Sequence, residues 1–318
     1  MSEVLLEASG VTVRFQTDGG LLHAVEDVSF TLAPGETLGI VGESGCGKST
    51  LARAILRLVE PTSGSVVFAG EELTRLPERA MRKRRSQLQL IFQDPFASLD
   101  PRCTIQATLE EPFIVHKIGS KAERRERIAR LLAQVGLEPE AASRYPHEFS
   151  GGQRQRIAIA RAIALEPKLV IADEPVSALD VSIQSQIINL LMDLRDAMGL
   201  AFLFISHDLA VIRLVSQRIG VMYLGRIVEL APTAALFATP QHPYTQALLA
   251  AIPEPVPGRK RQRRLLKGEL PSPENPPTGC AFHPRCPRAK ERCKTELPAL
   301  TRDGAGHFVR CHYPGPDD

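Results

Sequence analysis

Gly42-Glu43-Ser44-Gly45-Cys46-Gly47-Lys48-Ser49-Thr50 fits the pattern G-x-x-x-x-G-K-S/T, a phosphate-binding P-loop. That motif needs a strand before it and a helix after it. Thr37-Leu38-Gly39-Ile40-Val41 is an apolar run of strand length, and Leu51, Ala54, Ile55 and Leu58 recur on one apolar helix face. The glycines let the backbone curve until successive N–H groups face phosphate oxygens. The helix N-terminus adds partial positive charge. In such a loop Lys48 reaches the β- and γ-phosphates and Ser49 ligates Mg2+.

On the N-terminal side, residues 4–41 read as mostly strand. Val11–Phe15 and Ala24–Phe30 alternate in polarity, with turn-prone Asp18-Gly19-Gly20 between them. On the C-terminal side, Pro61-Thr62-Ser63-Gly64 turns the chain into a strand at Ser65–Phe68. The basic run Met81–Arg85 reads as a solvated helix face. Leu88–Phe92 is a strand closed by Gln93-Asp94-Pro95. From about Ile105 to Tyr145 the period becomes helical, and the segment of about 94–150 reads as an inserted helical subdomain. A helix following Phe149-Ser150-Gly151-Gly152-Gln153 is apolar nearly all round and is expected to be buried.

Lys168–Ala172 is a continuous apolar strand of the kind found in parallel sheets, and it ends in Asp173-Glu174. A helix over 181–198 and a strand over Ala201–Ile205 follow, the latter ending in Ser206-His207-Asp208. This alternation predicts an α/β doubly wound core, whose ligands gather at the carboxyl ends of the strands. Gln93, Asp173, Glu174 and His207 all fall at such ends. Asp173 is suited to the Mg2+ shell, and Glu174 to polarising a water in line with the γ-phosphate as general base. Ser150 can cap the helix it precedes, and Gly151 and Gly152 allow an anion to approach its N–H groups. Two anion sites can serve one nucleotide only where two chains meet head to tail.

The bulk properties narrow the class. The chain has 318 residues, 43% hydrophobic and 24% charged, enough for about two domains. A net charge of +3 is too small to argue for nucleic acid. No stretch approaches the ~18 apolar residues of a membrane span. The acidic start, Met1–Glu7, lacks the apolar core of a secretory signal, so a cytosolic location is expected, with any membrane link made through a partner. We divide the chain into 1–252 and a C-terminal extension, 253–318. The extension opens with Pro253-Glu254-Pro255-Val256-Pro257-Gly258 and the basic run 259–264, and it is too short for a large core without a staple. Of six cysteines, Cys46 and Cys103 are isolated, whereas Cys280, Cys286, Cys293 and Cys311 run C-x5-C-x6-C-x17-C. In a cytosolic protein such a cluster points to metal rather than disulfides. A 4Fe–4S cluster and Zn2+ both suit four thiolates, with a metal-free tail as the third alternative. The lack of tight C-x2-C pairs favours the cluster. His283, His307 and His312 could each replace a thiolate, though a surface role is the plainer reading.

These residues resemble the ATP-binding subunit of an ATP-binding-cassette (ABC) transporter across roughly residues 4–250. Gly42–Thr50 is similar to Walker A, Leu169–Glu174 to Walker B, and Phe149–Gln153 to the family signature, with Phe149 where Leu is commoner. Phe15 matches the aromatic that stacks on adenine, Gln93 the Q-loop glutamine, Ser177-Ala178-Leu179-Asp180 the D-loop, and His207 the switch histidine. The resemblance implies a RecA-like P-loop NTPase core with an antiparallel β subdomain. It also implies Mg2+ held by Ser49, Gln93 and Asp173, and two subunits that sandwich ATP between the P-loop of one and Ser150, Gly151, Gly152 and Gln153 of the other. DNA-repair relatives separate P-loop and signature by a long coiled coil, whereas Lys48 and Gly151 here lie about a hundred residues apart. Ribosome-acting relatives usually carry two cassettes. Transport is favoured over an ATPase acting on nucleic acid or ribosomes.

Pro240–Leu249 and Gly279–Cys286 resemble the oligopeptide/dipeptide (and nickel) importer subfamily. Phe92–Leu99 and Met222–Glu229 are similar to the second of its two paired ATPases. This implies a second ABC ATPase subunit (heterodimer, or homodimer as the alternative), two membrane permeases and an extracytoplasmic solute-binding protein, with no nucleic acid. The chain would act at the cytoplasmic face of the cell (inner) membrane, with Gln93 and the helical subdomain coupling it to the permeases. In related importers a cluster occurs at the cysteine positions, where it would tie the tail to the cassette or sense redox state.

Overall fold

The structure, a computed structural model, describes residues 4–252, 268–303 and 306–315. The Pro-rich stretch from Pro253 and the basic run 259–264 lie outside the described residues. The chain forms two compact units, one built mainly from Arg75–Ile205 and the other from Val4–Leu32, Thr37–Thr74 and the residues after Ile205.

In the first unit, strand Leu169–Asp173 pairs in parallel with Leu88–Ile91 on one side and Ala201–Ser206 on the other. Every residue of Leu169–Asp173 is buried, as its unbroken apolar sequence requires. Helices Ile105–Val115 and Lys121–Gln134 pack on each other and on helix Gly151–Ile163, which also lies against strand Leu88–Ile91. Local chemistry sets each start. Thr104 caps Ile105–Val115, Ser120 and Glu123 form a capping box, and so do Ser150 and Gln153. Ile157, Ala158, Ile159, Ala160, Ala162 and Ile163 are buried, as their pattern predicts.

The second unit contains a four-stranded antiparallel sheet in which Leu6–Thr17 lies between Gly20–Leu32 and Ser63–Phe68, with Glu71–Glu72 at the edge. It also contains Thr37–Val41, parallel to Arg218–Tyr223, which in turn pairs antiparallel with Arg226–Pro232. The C-terminal extension adds Phe308–Val309 to that edge, with Glu229 opposite Val309, and Thr301–Arg302 beyond it. Phe282, 1% exposed, packs edge-on to Tyr223 with ring centroids 5.2 Å apart. The extension is thus held by strand pairing and an aromatic cluster.

Two boundaries differ from the sequence reading. The helix after the P-loop is Lys48–Ile55, and Leu58 is 52% exposed instead of continuing its apolar face. Arg57 adopts φ +49°, a left-handed conformation that turns the chain away. Strand Leu88–Ile91 stops one residue before Phe92, which is exposed. Among the described residues, no helix is long and apolar enough to cross a membrane.

Glu26, 6% exposed, anchors a charge network in the second unit. Arg14 donates to its two oxygens at 2.6 and 3.0 Å, His23 Nδ1 lies 2.6 Å away and Arg226 donates at 3.4 Å. Burial pushes the Glu26 carboxyl up, but the bonds from Arg14 and His23 outweigh it and the net shift is downward from 4.5. A carboxyl lowered in the folded state contributes stability above its unfolded pKa, and that contribution is lost as pH falls through the folded value. Glu26→Gln is therefore expected to lower unfolding free energy by about 1–2 kcal/mol at neutral pH. In urea titrations the gap from wild type should close as pH falls below the ordinary carboxylate range.

Candidate nucleotide site

The P-loop closes on its own backbone and on two neighbouring strands. Gly47 caps helix Lys48–Ile55 at φ +104°, and a Cβ there would lie 2.0 Å from the carbonyl oxygen of Ala24. A Cβ on Gly42 would lie 2.1 Å from the carbonyl oxygen of Met222. Backbone atoms cannot give way at such distances, so both positions demand glycine. Lys48 is 4% exposed, and its Nζ donates to the carbonyls of Gly42 at 2.8 Å and Glu43 at 3.0 Å. Burial raises the Cys46 thiol pKa, so Cys46 stays a neutral packing residue beneath the loop. Ser44 and Gly45 form the exposed tip, while Ser49 and Thr50 are half-buried in the first helical turn.

Glu43 is held at each of its polar groups. Its N–H donates to the Tyr244 hydroxyl at 3.0 Å, its carbonyl accepts from Lys48, and its carboxylate accepts from both terminal nitrogens of Arg285 at 2.7 and 3.1 Å. Phe15, near the end of strand Leu6–Thr17, is 36% exposed.

The first unit brings Gln93 and Glu174 together, 81 residues apart in sequence, with Gln93 Nε2 donating to Glu174 Oε2 at 3.1 Å. Asp173 closes its strand at 5% exposure. Glu174 follows at φ +47°, which a non-glycine residue adopts only when its surroundings enforce it. The enforcing contacts are visible: its N–H donates to the Ile205 carbonyl at 2.9 Å, and its own carbonyl accepts from the Ser177 N–H at 3.2 Å and hydroxyl at 3.1 Å. Ser177, the first D-loop residue, thereby fixes the Glu174 peptide. At the signature, Ser150 Oγ accepts from the Gln153 N–H at 3.4 Å, and Gln153 returns a bond to the Ser150 N–H at 3.0 Å. Gly151 and Gly152 follow in the first turn, and a Cβ on Gly152 would lie 2.6 Å from the Ile183 side chain. In the second unit His207 is exposed, in the turn before helix Leu209–Val215, which Asp208 caps through the Ala210 N–H at 2.7 Å.

Comparison with known proteins agrees with this geometry. Residues 25–177 match the family described as ABC transporter, and residues 228–293 match the oligopeptide/dipeptide transporter C-terminal region. The chain is 56% identical to the oligopeptide transport ATP-binding protein AppF of Bacillus subtilis, over 94% of its own length and 92% of that protein. The chain belongs to the ABC transporter family. A dimeric ATP-binding cassette solved in a post-hydrolysis state with ADP and Pi superposes on this ABC chain with a TM-score of 0.66 at 31% identity, covering 72% of it and 99% of that structure. An ABC transporter component from Clostridium perfringens does so at 0.66 and 27% identity, covering 74% and 92%.

In the C-terminal region of this ABC chain, Cys280, Cys286, Cys293 and Cys311 line one small cavity together with Phe282 and Arg288. All four are free thiols. Among the described residues, no three His, Cys, Asp or Glu side chains are grouped so as to hold a metal ion. Burial pushes the Cys280 thiol up to about 11. His307 departs from the surface role expected of it. It is 3% exposed and pairs through Nε2 with Glu229 at 2.6 Å. His283 Nδ1 lies 3.0 Å from the Cys280 carbonyl and His312 Nε2 lies 2.9 Å from the Glu296 carbonyl.

Sequence reasoning missed Tyr244 and Arg285. Both lie in segments that carry the subfamily resemblance, yet no periodicity or spacing links either to Glu43. The available signal was the acidic side chain inside an anion-binding loop, which calls for a cation from elsewhere in the chain.

Proposed function

We propose that the chain is the ATP-hydrolysing subunit that energises import of di- or oligopeptides, or similar small solutes, through a membrane ABC transporter. The observation that carries the solute class is the match of residues 228–293 to the oligopeptide/dipeptide transporter C-terminal region. The 56% identity to an oligopeptide transport ATP-binding protein supports the same reading. Residues 1–252 act as the cassette, with a helical subdomain over about 94–150, and 253–318 as its extension.

In this reading the N–H groups of Gly42–Thr50 receive the phosphates and Lys48 opposes the charge that develops on the γ-phosphate. Phe15 stacks on adenine. Ser49, Gln93 and Asp173 would hold Mg2+, an all-oxygen donor set that suits a hard cation, which neutralises phosphate charge when bound. Glu174 takes a proton from the attacking water, and His207 positions the γ-phosphate. Ser150, Gly151, Gly152 and Gln153 complete the site of a second chain, in keeping with the dimeric state of the solved cassette that holds ADP and Pi. That second chain is a different ATPase subunit, and the pair works with two permeases and an extracytoplasmic solute-binding protein at the cytoplasmic face of the membrane.

Cys280, Cys286, Cys293 and Cys311 would hold a 4Fe–4S cluster, whose role when bound is to tie the extension together. The observation behind this reading is that the four thiols line one small cavity, a donor set that suits such a cluster. Protein purified without oxygen should absorb near ~400 nm and release iron and sulfide in equal amounts. A colourless zinc-loaded preparation would refute the cluster. The transport function is tested by isolating the chain with its permeases in liposomes. Peptide-loaded binding protein should stimulate ATP hydrolysis, and stimulation by nickel alone, DNA or ribosomes would overturn the assignment.

A further inference from the structure

Glu43 presents a conflict of sign. It is the second residue of a loop whose N–H groups and helix terminus collect anions, yet it carries an anionic side chain. An unrestrained carboxylate at that position would repel a polyphosphate, and it could fold into the anion cradle and compete for the same N–H groups. The structure resolves the conflict through two residues 201 and 242 positions away, Tyr244 and Arg285. Arg285 makes a fork-to-fork pair with the carboxylate at 2.7 and 3.1 Å, and its side chain is 7% exposed against 27% for Glu43. The guanidinium is itself fixed, with its carbon 5.9 Å from the centre of the fully buried Tyr223 ring. Tyr244, also fully buried, takes the Glu43 N–H, so residue 43 turns that donor toward the protein and not toward the loop interior.

We propose that Arg285 is a positioning residue of the nucleotide site, which holds the Glu43 carboxylate out of the phosphate cradle and cancels its charge. The proposal rests on the ATP-binding reading of Gly42–Thr50. Arg285 stands immediately before Cys286, in the segment that Cys280 opens, so the extension reaches the P-loop through this pair.

A charge-neutralisation cycle on the full chain tests this, read by equilibrium binding of MgATP and by the split between kcat and KM. Arg285→Leu is expected to weaken MgATP binding about tenfold, with kcat at saturation within about twofold of wild type. The loss should shrink at high salt, because it arises from an unpaired charge. Glu43→Gln in the Arg285→Leu background should recover most of the affinity, since no carboxylate then remains to be neutralised. Arg285→Lys, which keeps the charge but not the fork, should lose about threefold and serves if the leucine variant does not fold. Wild-type affinity in Arg285→Leu, or a double variant as weak as Arg285→Leu alone, would overturn the proposal. Failure of the wild-type chain itself to bind MgATP would instead overturn the reading of the P-loop.

Discussion

Glu174→Gln is expected to lower steady-state ATP hydrolysis by about 10²–10⁴-fold while nucleotide affinity stays within about twofold of wild type. The substitution keeps volume and shape, and it removes the negative charge and with it the capacity to take a proton from water. The structure gives reason to expect that the rest of the site survives. Residue 174 is held at φ +47° by main-chain bonds to Ile205 and Ser177, none of which involves its carboxylate. Gln93 donates from Nε2 to Oε2, and the amide oxygen of a glutamine at 174 can accept that bond. Filter binding of labelled ATP alongside single-turnover hydrolysis separates the two effects. Normal turnover would sink the assignment of Glu174 as base, and lost binding would reassign it to nucleotide affinity.

Lys48→Ala is expected to act on the opposite side of that division, weakening MgATP binding by about 10²–10³-fold and taking hydrolysis with it. Lys48 is 4% exposed, and its ammonium bridges the carbonyls of Gly42 and Glu43 across the P-loop. Truncation removes the positive charge and leaves those two carbonyls without that donor, so the loop loses rigidity as well as attraction. Lys48→Arg should not restore binding, because a branched guanidinium is larger than the enclosure around Nζ and cannot act as a point charge there. Isothermal titration with ATP, read beside a thermal unfolding midpoint within a few degrees of wild type, checks the prediction. Retained affinity in the alanine variant would refute it.

Much of this molecule is legible in its sequence because its key features are local. The strand before the P-loop and the Ser150 cap each depend on neighbours within a few positions, where residue type and spacing suffice. The loop's glycines are legible from the motif, although the carbonyls that exclude a Cβ there, those of Met222 and Ala24, are distant in sequence. Leu58 shows the limit of that logic. Its place on the apolar face follows from helical period, yet Arg57 takes a left-handed turn that neither glycine nor asparagine announces, and the face ends early. His307 shows another limit, since its burial follows from a partner, Glu229, 78 residues away. The Glu43–Arg285 pair is illegible for the same reason. Ion pairs between distant loops leave no period in the sequence, only a charge whose surroundings look wrong until its partner is found. Gln93 and Glu174 are each legible as site candidates because each follows the carboxyl end of a strand of a parallel sheet, whereas the bond between them is not.

The capping box at Ser150 narrows which residues that position can hold. A serine hydroxyl has two lone pairs and one hydrogen, and Ser150 commits a lone pair to the Gln153 N–H. Its hydrogen therefore stays available to a partner other than the Gln153 N–H. For starting a helix, asparagine and aspartate serve as well as serine. Facing a phosphate, they would not be equivalent. Aspartate would turn a full negative charge toward the incoming anion, and asparagine, once its oxygen caps the helix, would swing a bulkier amide into the approach. Helix chemistry alone would tolerate several side chains at residue 150, and under the proposed function, in which this turn meets the phosphates of a second chain's nucleotide, only the small hydroxyls remain.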